Sequence, residues 1–145
     1  MKRTIIAIVL IVISVGLFFG FSEWNRKNAD LSKSKALYSI EAPALIKAFQ
    51  NDTAAAGKQY TDKIIAVTGN LKKIEFEKNA TVFFLGDPED MSSVQCSMDA
   101  GHTEKYAALK EGALITVKGV CNGYQSDELL GTDVKLNRCV VAATN

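Results

Sequence analysis

The feature that most constrains the fold is a pair of alternating apolar patterns between residues 114 and 141. In the first pattern the apolar or small positions are Ile115, Val117, Gly119 and Cys121; in the second they are Val134 and Leu136. A period of two residues predicts two β-strands that each bury one face. Residues 122–133 contain two glycines and a Ser-Asp-Glu run, which predicts a solvated loop between the strands.

The N-terminus carries a long uncharged stretch from residue 4 to residue 21, rich in Ile, Val, Leu and Phe. As a helix of ~1.5 Å rise per residue it spans roughly 27 Å, close to the ~30 Å hydrocarbon core of a bilayer. Lys2 and Arg3 precede the stretch and Trp24 follows it at the expected interface. We therefore expect residues 1–24 to form a transmembrane anchor that contacts the membrane through residues 4–22. A cleavable signal peptide, cut after Ser22, is the alternative.

The orientation of this anchor follows from two opposing signals. Four basic residues, at positions 26, 27, 33 and 35, lie beyond the apolar stretch and outnumber Lys2 and Arg3, which argues for a cytoplasmic domain. A short basic N-terminus is typical of an export signal. We favour the second signal, so the prediction is a single-pass protein of the cytoplasmic (inner) membrane with its domain on the extracytoplasmic side.

The rest of the chain divides into a polar tether over residues 25–41 and a domain over residues 42–145. The domain begins with a helix at Pro43 and a second short helix capped by residues 51–53. Strand patterns follow at 63–76, 80–85 and 94–98, and a helical pattern at 102–111 precedes the C-terminal hairpin. A β-bulge near Lys72 and Lys73 is predicted, because the apolar alternation changes phase there.

This order predicts a mainly β fold. Five strands with one helix between strands 3 and 4 are the arrangement of the OB-fold barrel, here preceded by a helical segment and the N-terminal transmembrane helix. Gly69 lies in the long first strand, where a barrel of this kind requires a sharp bend.

The chain also resembles a known family. The resemblance rests on Val67-x-Gly69 in the first strand, on Gly119-x-Cys121-x-Gly123, and on Asp133-Val134-x-Leu136-x-x-Cys139 in the last two strands. Over residues 42–141 this pattern is similar to the tRNA-anti-like OB-fold family, small bacterial proteins that are often exported or membrane-anchored. The resemblance implies kinship with anticodon-binding OB domains, and it does not assign tRNA as the ligand.

The three cysteines admit one disulfide at most. In an exported OB barrel the last strand neighbours both the third and the fourth, so Cys139 is expected to pair with Cys121 or, alternatively, with Cys96. Three buried thiols that act as small apolar side chains are the competing interpretation. A thiol-redox role requires an exposed thiolate of low pKa, and no basic neighbour supports one.

Catalytic and metal-binding signals are absent from the sequence. The one histidine, His102, starts a predicted helix, and neither zinc-ligand spacing nor a phosphate-binding glycine loop occurs. We therefore predict no enzyme activity, no metal and no cofactor. The formal net charge is +1, and without Lys2 and Arg3 it is −1, which excludes a strongly basic nucleic-acid-binding domain.

The predicted function is a membrane-tethered, non-catalytic OB-fold binding module for a peptide, a glycan or a partner protein. OB folds bind through the face of strands 2 and 3 and the loops beside it. The candidate residues on this face are Lys72, Lys73, Phe76, Lys78, Phe83 and Tyr124. A single-stranded nucleic-acid or tRNA-binding domain is the alternative, disfavoured by the acidic run at 126–128, and a thiol-redox role is the third.

Overall fold

The computed structural model describes residues 16, 31–77, 80–101, 106, 109–127 and 131–144. The predicted anchor over residues 1–24 lies outside this part, except for Gly16, and so does most of the helix predicted at 102–111. Within the described ranges, no helix combines the length and apolar composition that crossing a bilayer requires.

The described part of the chain contains a short 3-10 helix, two α-helices and six strands. The 3-10 helix is Leu31–Lys33, and the α-helices are α1 (Ala42–Asn51) and α2 (Thr53–Tyr60). The strands are β1 (Tyr38–Glu41), β2 (Ile64–Glu77), β3 (Ala80–Leu85), β4 (Ser93–Met98), β5 (Leu114–Asp127) and β6 (Gly131–Thr144).

The strands close into a barrel in the order β2-β3-β4-β6-β5, and β5 pairs back onto β2. Strand β2 serves both halves of this barrel, because its first half pairs with β5 and its second half with β3. The predicted bulge is confirmed, since the register of β2 against β3 shifts between Leu71 and Lys73. Strands β4 and β6 are parallel, and the other pairs within the barrel are antiparallel.

The structure corrects the predicted strand count. Residues of β1 pair in parallel with the start of β2, from Tyr38 opposite Ile65 to Glu41 opposite Thr68, so the sheet has six strands where the sequence predicted five. This strand is only four residues long (Tyr-Ser-Ile-Glu) and mostly exposed, so its short alternation was not recognised as a strand in the sequence. It lies outside the closed barrel as an addition to β2.

The predicted loop over residues 122–133 is also wrong. Strands β5 and β6 continue to pair as far as Asp127 opposite Gly131. The register shifts between Cys121 and Tyr124, and Gly123 within this shift has a φ of 105°, a conformation that glycine adopts without a steric penalty. The bulge lets the polar residues continue as an exposed two-stranded ribbon instead of ending the strand.

The helical lead-in has the predicted form, with a proline in the first turn of α1 and an Asp52 cap on α2. The Asp52 Oδ1 atom accepts a hydrogen bond from the Ala55 backbone N–H at 2.9 Å. Helix α1 buries Leu45, Ile46 and Phe49 against the barrel. These side chains cover core residues that the strands alone would leave in contact with water.

Gly69 allows α1 to approach β2 closely. A Cβ atom added at Gly69 would lie 2.8 Å from the Cβ of Ala42, at the start of the helix. Residues 31–34 also pack on the barrel, because Leu31 is buried and the Lys118 Nζ donates to the carbonyl oxygens of Ser32 (2.9 Å) and Ser34 (2.7 Å). These contacts extend the folded domain back to residue 31, into the segment predicted as a tether.

Tyr106 follows β4 and precedes β5 in the chain, and its side chain is buried inside the barrel. Its ring packs edge-on against Phe83, with centroids 5.4 Å apart at 74°. Its hydroxyl lies 3.3 Å from the carbonyl oxygen of Asp99 and 3.4 Å from that of Cys139. Burial, with a smaller contribution from Asp99, raises the pKa of Tyr106 to about 12, so its hydroxyl remains a donor near neutral pH.

Candidate ligand-binding face

Two of the three lysines predicted at the first loop are held by contacts within the domain. The Lys72 Nζ donates to the backbone carbonyls of Asp90 and Ser92, the latter at 3.1 Å, so it ties the β3–β4 loop to β2. Lys73 forms an ion pair with Glu75 at 2.6 Å, and this hydrogen bond raises the pKa of the Lys73 ammonium. Lys78 lies outside the described residues.

One of the predicted aromatic residues does not lie on the expected face. Phe83 is fully buried against Tyr106, so it belongs to the core, and the prediction that it contacts a ligand is wrong. The outward phenylalanine of β3 is Phe84, which the sequence analysis missed. The run of apolar residues in β3 showed that one phenylalanine must face outwards, but only the register with β2 determined which one.

Tyr124 lies over the core end of the barrel. It pairs with the buried Val134, and its ring stacks on Phe49 of α1, with centroids 5.3 Å apart and ring planes 27° apart. The bulge before Tyr124 reverses its side relative to simple alternation. Phe76, by contrast, is 74% exposed at the end of β2, as its predicted role requires.

The outer face of the barrel forms a concavity of about 400 Å³. Four strands contribute to it: β2, β3, β4 and β6. Its lining residues are Glu75, Ala80, Val82, Phe84, Gln95, Ser97, Lys135 and Asn137. The floor is apolar at Val82 and Phe84, and the surrounding side chains are amides, a hydroxyl and single charges. We call this surface the β3–β4 face.

Asp133 organises one side of the β3–β4 face. Its Oδ1 accepts from the backbone N–H (3.1 Å) and hydroxyl (2.7 Å) of Ser93, and its Oδ2 accepts from the Gln95 amide at 2.6 Å. Lys135 donates to the Gln125 side-chain oxygen at 2.7 Å. These bonds hold Gln95 and Lys135 in position. Sequence reasoning missed the bonds of Asp133 because they join β4 and β6, which are some forty residues apart in the chain.

A second depression of about 490 Å³ continues from the first and shares Ser97 and Asn137 with it. Arg138 lines this depression from a residue of β6 whose φ is 56°, in the left-handed region. The register of β4 against β6 shifts at the same place. Bulges of this kind redirect a side chain, and here the bulge directs Arg138 to the end of the β3–β4 face.

The β3–β4 face carries charges of both signs. Lys73 is paired with Glu75, and Lys135 lies two residues from Asp133 on the same strand, β6. Arg138 adds one positive charge at the far end. A polyanionic backbone that crossed this face would therefore meet two carboxylates along with the cations.

A separate groove of about 320 Å³ lies beside the start of α1. Its lining residues include Pro43, Gly69, Asn70, Gly86 and Leu114, on the side of the barrel where β2 bends. It contains two carboxylates, those of Glu41 and Asp87, and no basic side chain. This groove is distinct from the β3–β4 face, because the two share no residue.

All three cysteines are free and fully buried, so neither predicted disulfide, Cys121–Cys139 or Cys96–Cys139, is formed. Burial raises the pKa of the Cys121 thiol, against an opposing hydrogen bond from the backbone of Gly123. Burial and a hydrogen bond with Cys96 raise the pKa of Cys139 well above its ordinary value. All three thiols are buried core side chains without an exposed thiolate, which disfavours the thiol-redox role.

Across the described ranges, no group of three or more His, Cys, Asp or Glu side chains is placed to hold a metal ion. His102, the one histidine of the chain, lies outside those ranges.

The fold defines the class of the protein. A closed barrel in the order β2-β3-β4-β6-β5, with β4 and β6 parallel and a concave outer face on β3 and β4, is an OB fold.

The particular family follows from the sequence. The model of the tRNA_anti-like family matches residues 1–135, and the chain belongs to this family. The resemblance noted from the strand motifs is therefore confirmed. No curated protein matches the chain.

A solved structure shares the fold. A Klebsiella pneumoniae lipoprotein, described provisionally as nucleic acid-binding, aligns over 81% of this chain and 100% of its own, with a TM-score of 0.59 and 16% identity. The protein OBody AM3L09, bound to hen egg-white lysozyme, aligns over 60% of this chain and 88% of its own, with a TM-score of 0.44 and 12% identity. Asparaginyl-tRNA synthetase from Pyrococcus horikoshii aligns over 60% and 21%, with a TM-score of 0.41 and 16% identity. The last two TM-scores are too low to support any statement about this chain.

Proposed function

We propose that this protein is a membrane-tethered, non-catalytic binding module that takes its ligand on the β3–β4 face. The observation that carries the proposal is the concavity on four strands, with an apolar floor and polar side chains held by Asp133. Ligand sites of this type are concave and place a few polar groups around an apolar surface. The absence of enzyme activity is part of the proposal, and the burial of all three thiols supports it.

The tether is the second part of the proposal. Residues 4–21 have the length and composition of a membrane span. Nine residues, 22–30, lie between the apolar stretch and Leu31, where the described domain starts, a reach of at most ~32 Å when fully extended. The barrel would thus remain close to the membrane surface. We place the domain on the extracytoplasmic side of the cytoplasmic membrane.

A fusion of alkaline phosphatase after Asn145 tests the orientation, because this enzyme is active only after export. We expect an active fusion, and a matching fusion that lacks residues 1–24 should be inactive. An inactive full-length fusion would place the domain in the cytoplasm.

Nuclear magnetic resonance tests the binding face. The ¹⁵N-labelled full-length chain is titrated with three probe classes: oligosaccharides, short peptides and single-stranded DNA. We expect the probe that binds to shift amide signals of β3, β4 and β6, and Asn137→Ala to weaken its binding. Shifts confined to the groove at Pro43 and Gly86 would refute the proposed face.

Single-stranded nucleic acid is the second candidate ligand. The family name and the description of the Klebsiella lipoprotein favour it, and Phe76 and Lys73 are exposed at one end of the face. A nucleic-acid ligand must lose affinity steeply with salt, because binding releases counterions from phosphates. Binding of a fifteen-residue oligo-dT at 50 mM NaCl that falls more than about tenfold at 200 mM would favour this candidate.

A further inference from the structure

The chemistry of the β3–β4 face restricts the class of ligand that fits it. We infer that the face binds an uncharged oligosaccharide, an inference that rests on the proposed function. Three properties support it: the hydrogen-bonding side chains, the carboxylates of the face, and the pairing of the strands beneath.

The side chains around the floor match hydroxyl groups. Gln95 and Asn137 each carry an amide that both donates and accepts, and Ser97 carries a hydroxyl with the same property. The side chains of Ser97 and Asn137 make no hydrogen bond to any residue that the structure describes, so they are available to a ligand. Sugar hydroxyls also donate and accept, whereas a phosphate backbone only accepts.

The apolar floor complements the other surface of a sugar. Val82 and Phe84 lie side by side on β3, two residues apart, so both point to the same side of the strand. A pyranose ring presents its C–H groups on one face, and these pack on an aromatic or branched aliphatic side chain. The hydroxyls at the ring edge then reach Gln95 and Asn137 on the neighbouring strands.

The carboxylates of the face argue against a polyanion. Glu75 and Asp133 lie among the cations Lys73, Lys135 and Arg138, and Lys73 is already paired with Glu75. A single-stranded nucleic acid requires a groove of cations along its backbone. An uncharged polymer incurs no such repulsion, and the few charged groups serve it as hydrogen-bonding partners.

The strand pairing argues against an extended peptide. Strand β3 lies between β2 and β4, and β4 lies between β3 and β6, so both strands have neighbours on each side. Peptides that bind to sheets by strand addition require a free edge. Only side chains are available on this face. Its four strands span roughly 14 Å at ~4.8 Å per step, which suits a short oligomer rather than a single sugar.

The test uses the full-length chain in lauryldimethylamine oxide, a detergent without a sugar headgroup. Chitohexaose and maltohexaose are the uncharged probes, and a fifteen-residue oligo-dT is the polyanionic comparator. Affinity is measured by isothermal titration calorimetry at 50 and 200 mM NaCl. We expect at least one hexasaccharide to bind, with a dissociation constant that changes less than about twofold with salt because no counterions are released.

Matched variants locate the site. Phe84→Leu retains an apolar floor but removes the ring, and we expect it to weaken hexasaccharide binding about tenfold. Leu37→Ala truncates an exposed apolar side chain outside the concavity and should leave binding unchanged. Asn137→Ala should weaken binding about fivefold, while Asn122→Ala, on exposed β5, should not. If Asn137→Ala fails to fold by circular dichroism, Ser97→Ala replaces it.

The outcomes separate the inference from the proposed function. If neither hexasaccharide binds, or the face variants leave hexasaccharide binding unchanged, the oligosaccharide inference is refuted. If oligo-dT binds instead and Asn137→Ala weakens its binding, the binding face stands and only the ligand class is wrong. If a ligand binds and none of the face variants affects it, both the inference and the proposed face fail.

Discussion

Gly119 and Cys139 occupy adjoining space in the barrel core, and this contact leads to a quantitative prediction. A Cβ atom placed at Gly119 would lie 2.5 Å from the Cys139 Sγ, 3.2 Å from the Asn137 carbonyl oxygen and 3.4 Å from the Leu136 Cβ. The first distance is below 3.0 Å, which side-chain Cβ atoms essentially never show. The Gly119→Ala substitution must therefore displace the Cys139 side chain or separate β5 from β6.

The expected magnitude combines two opposing effects. Overpacking a well-filled core costs typically 1–3 kcal/mol. Replacing glycine by alanine also restricts the unfolded chain, which returns about 0.4–1 kcal/mol. We expect Gly119→Ala to lower the free energy of unfolding by about 1–2 kcal/mol. Cys139→Ala alone removes one buried sulfur atom and should cost roughly 1 kcal/mol.

The double variant isolates the contact. If the clash with Cys139 is the cause, removing the sulfur relieves it, and Gly119→Ala/Cys139→Ala should be about as stable as Cys139→Ala alone. The coupling free energy of the cycle is then about 1–2 kcal/mol in the stabilising direction. Urea unfolding of the full-length chain, followed by far-ultraviolet circular dichroism, gives each value, and an unchanged m-value shows that the compactness of both states is preserved.

Additive losses in the double variant would refute the reasoning. They would mean that the cost of Gly119→Ala arises from the Asn137 carbonyl or the Leu136 side chain, both of which remain. A neutral Gly119→Ala would show that β5 and β6 adjust at no cost, against the close packing found at these residues.

Three further predictions follow from other parts of the barrel. The folded state keeps the Cys139 thiol protonated while the unfolded state loses that proton above a pH of about 8.5, so stability should fall as the pH rises beyond that value, by up to about 1.4 kcal/mol per unit. Thermal scans between pH 7 and 11 measure this, and Cys139→Ala should reduce the slope, leaving the part due to Cys121 and, above about pH 10, Tyr106. Asp133→Ala removes the acceptor of three hydrogen bonds and should cost about 1.5–3 kcal/mol in urea unfolding, whereas a loss below about 0.5 kcal/mol would show that the network contributes little. Gly69→Ala brings its Cβ within 2.8 Å of Ala42 and should cost about 1–3 kcal/mol. Gly57 lies within helix α2, and a Cβ atom added there would be 3.9 Å from the Thr61 hydroxyl oxygen, its closest contact outside the helix backbone and the two adjacent residues, so Gly57→Ala should instead stabilise the protein by about 0.5–1 kcal/mol. Equal effects of the two substitutions on the free energy of unfolding would contradict the packing argument.

The sequence predicted much of the barrel because alternating apolar and polar residues indicate which side of a strand is buried. The positions it assigned to the interior of β5 and β6, including Val117, Cys121, Leu136 and Cys139, are buried as predicted. The phase change at residues 72 and 73 likewise located a real bulge. These features are local, so a window of a few residues contains the information that determines them.

The candidate site was harder to predict, because it depends on register between strands. Phe83 and Phe84 are chemically identical neighbours, and only the pairing of β3 with β2 and β4 decides which one faces outwards. Tyr124 shares a strand face with the buried Val134, contrary to simple alternation, because the bulge at Gly123 precedes it. Asp133 orders one side of the face by accepting a hydrogen bond from Ser93, which lies forty residues away in the chain.

The sequence by itself determined that this chain forms a small β barrel with a helical lead-in, and that it belongs to the family its strand motifs indicate. The tertiary structure alone decided that a sixth strand joins the sheet, that the thiols are buried unpaired, and that a polar concavity forms across β2, β3, β4 and β6. The physical reason is that a strand with one buried face carries apolar residues at every second position, a pattern that a short segment of sequence contains. The composition of a surface shared by four strands depends on their relative register, which no single segment encodes.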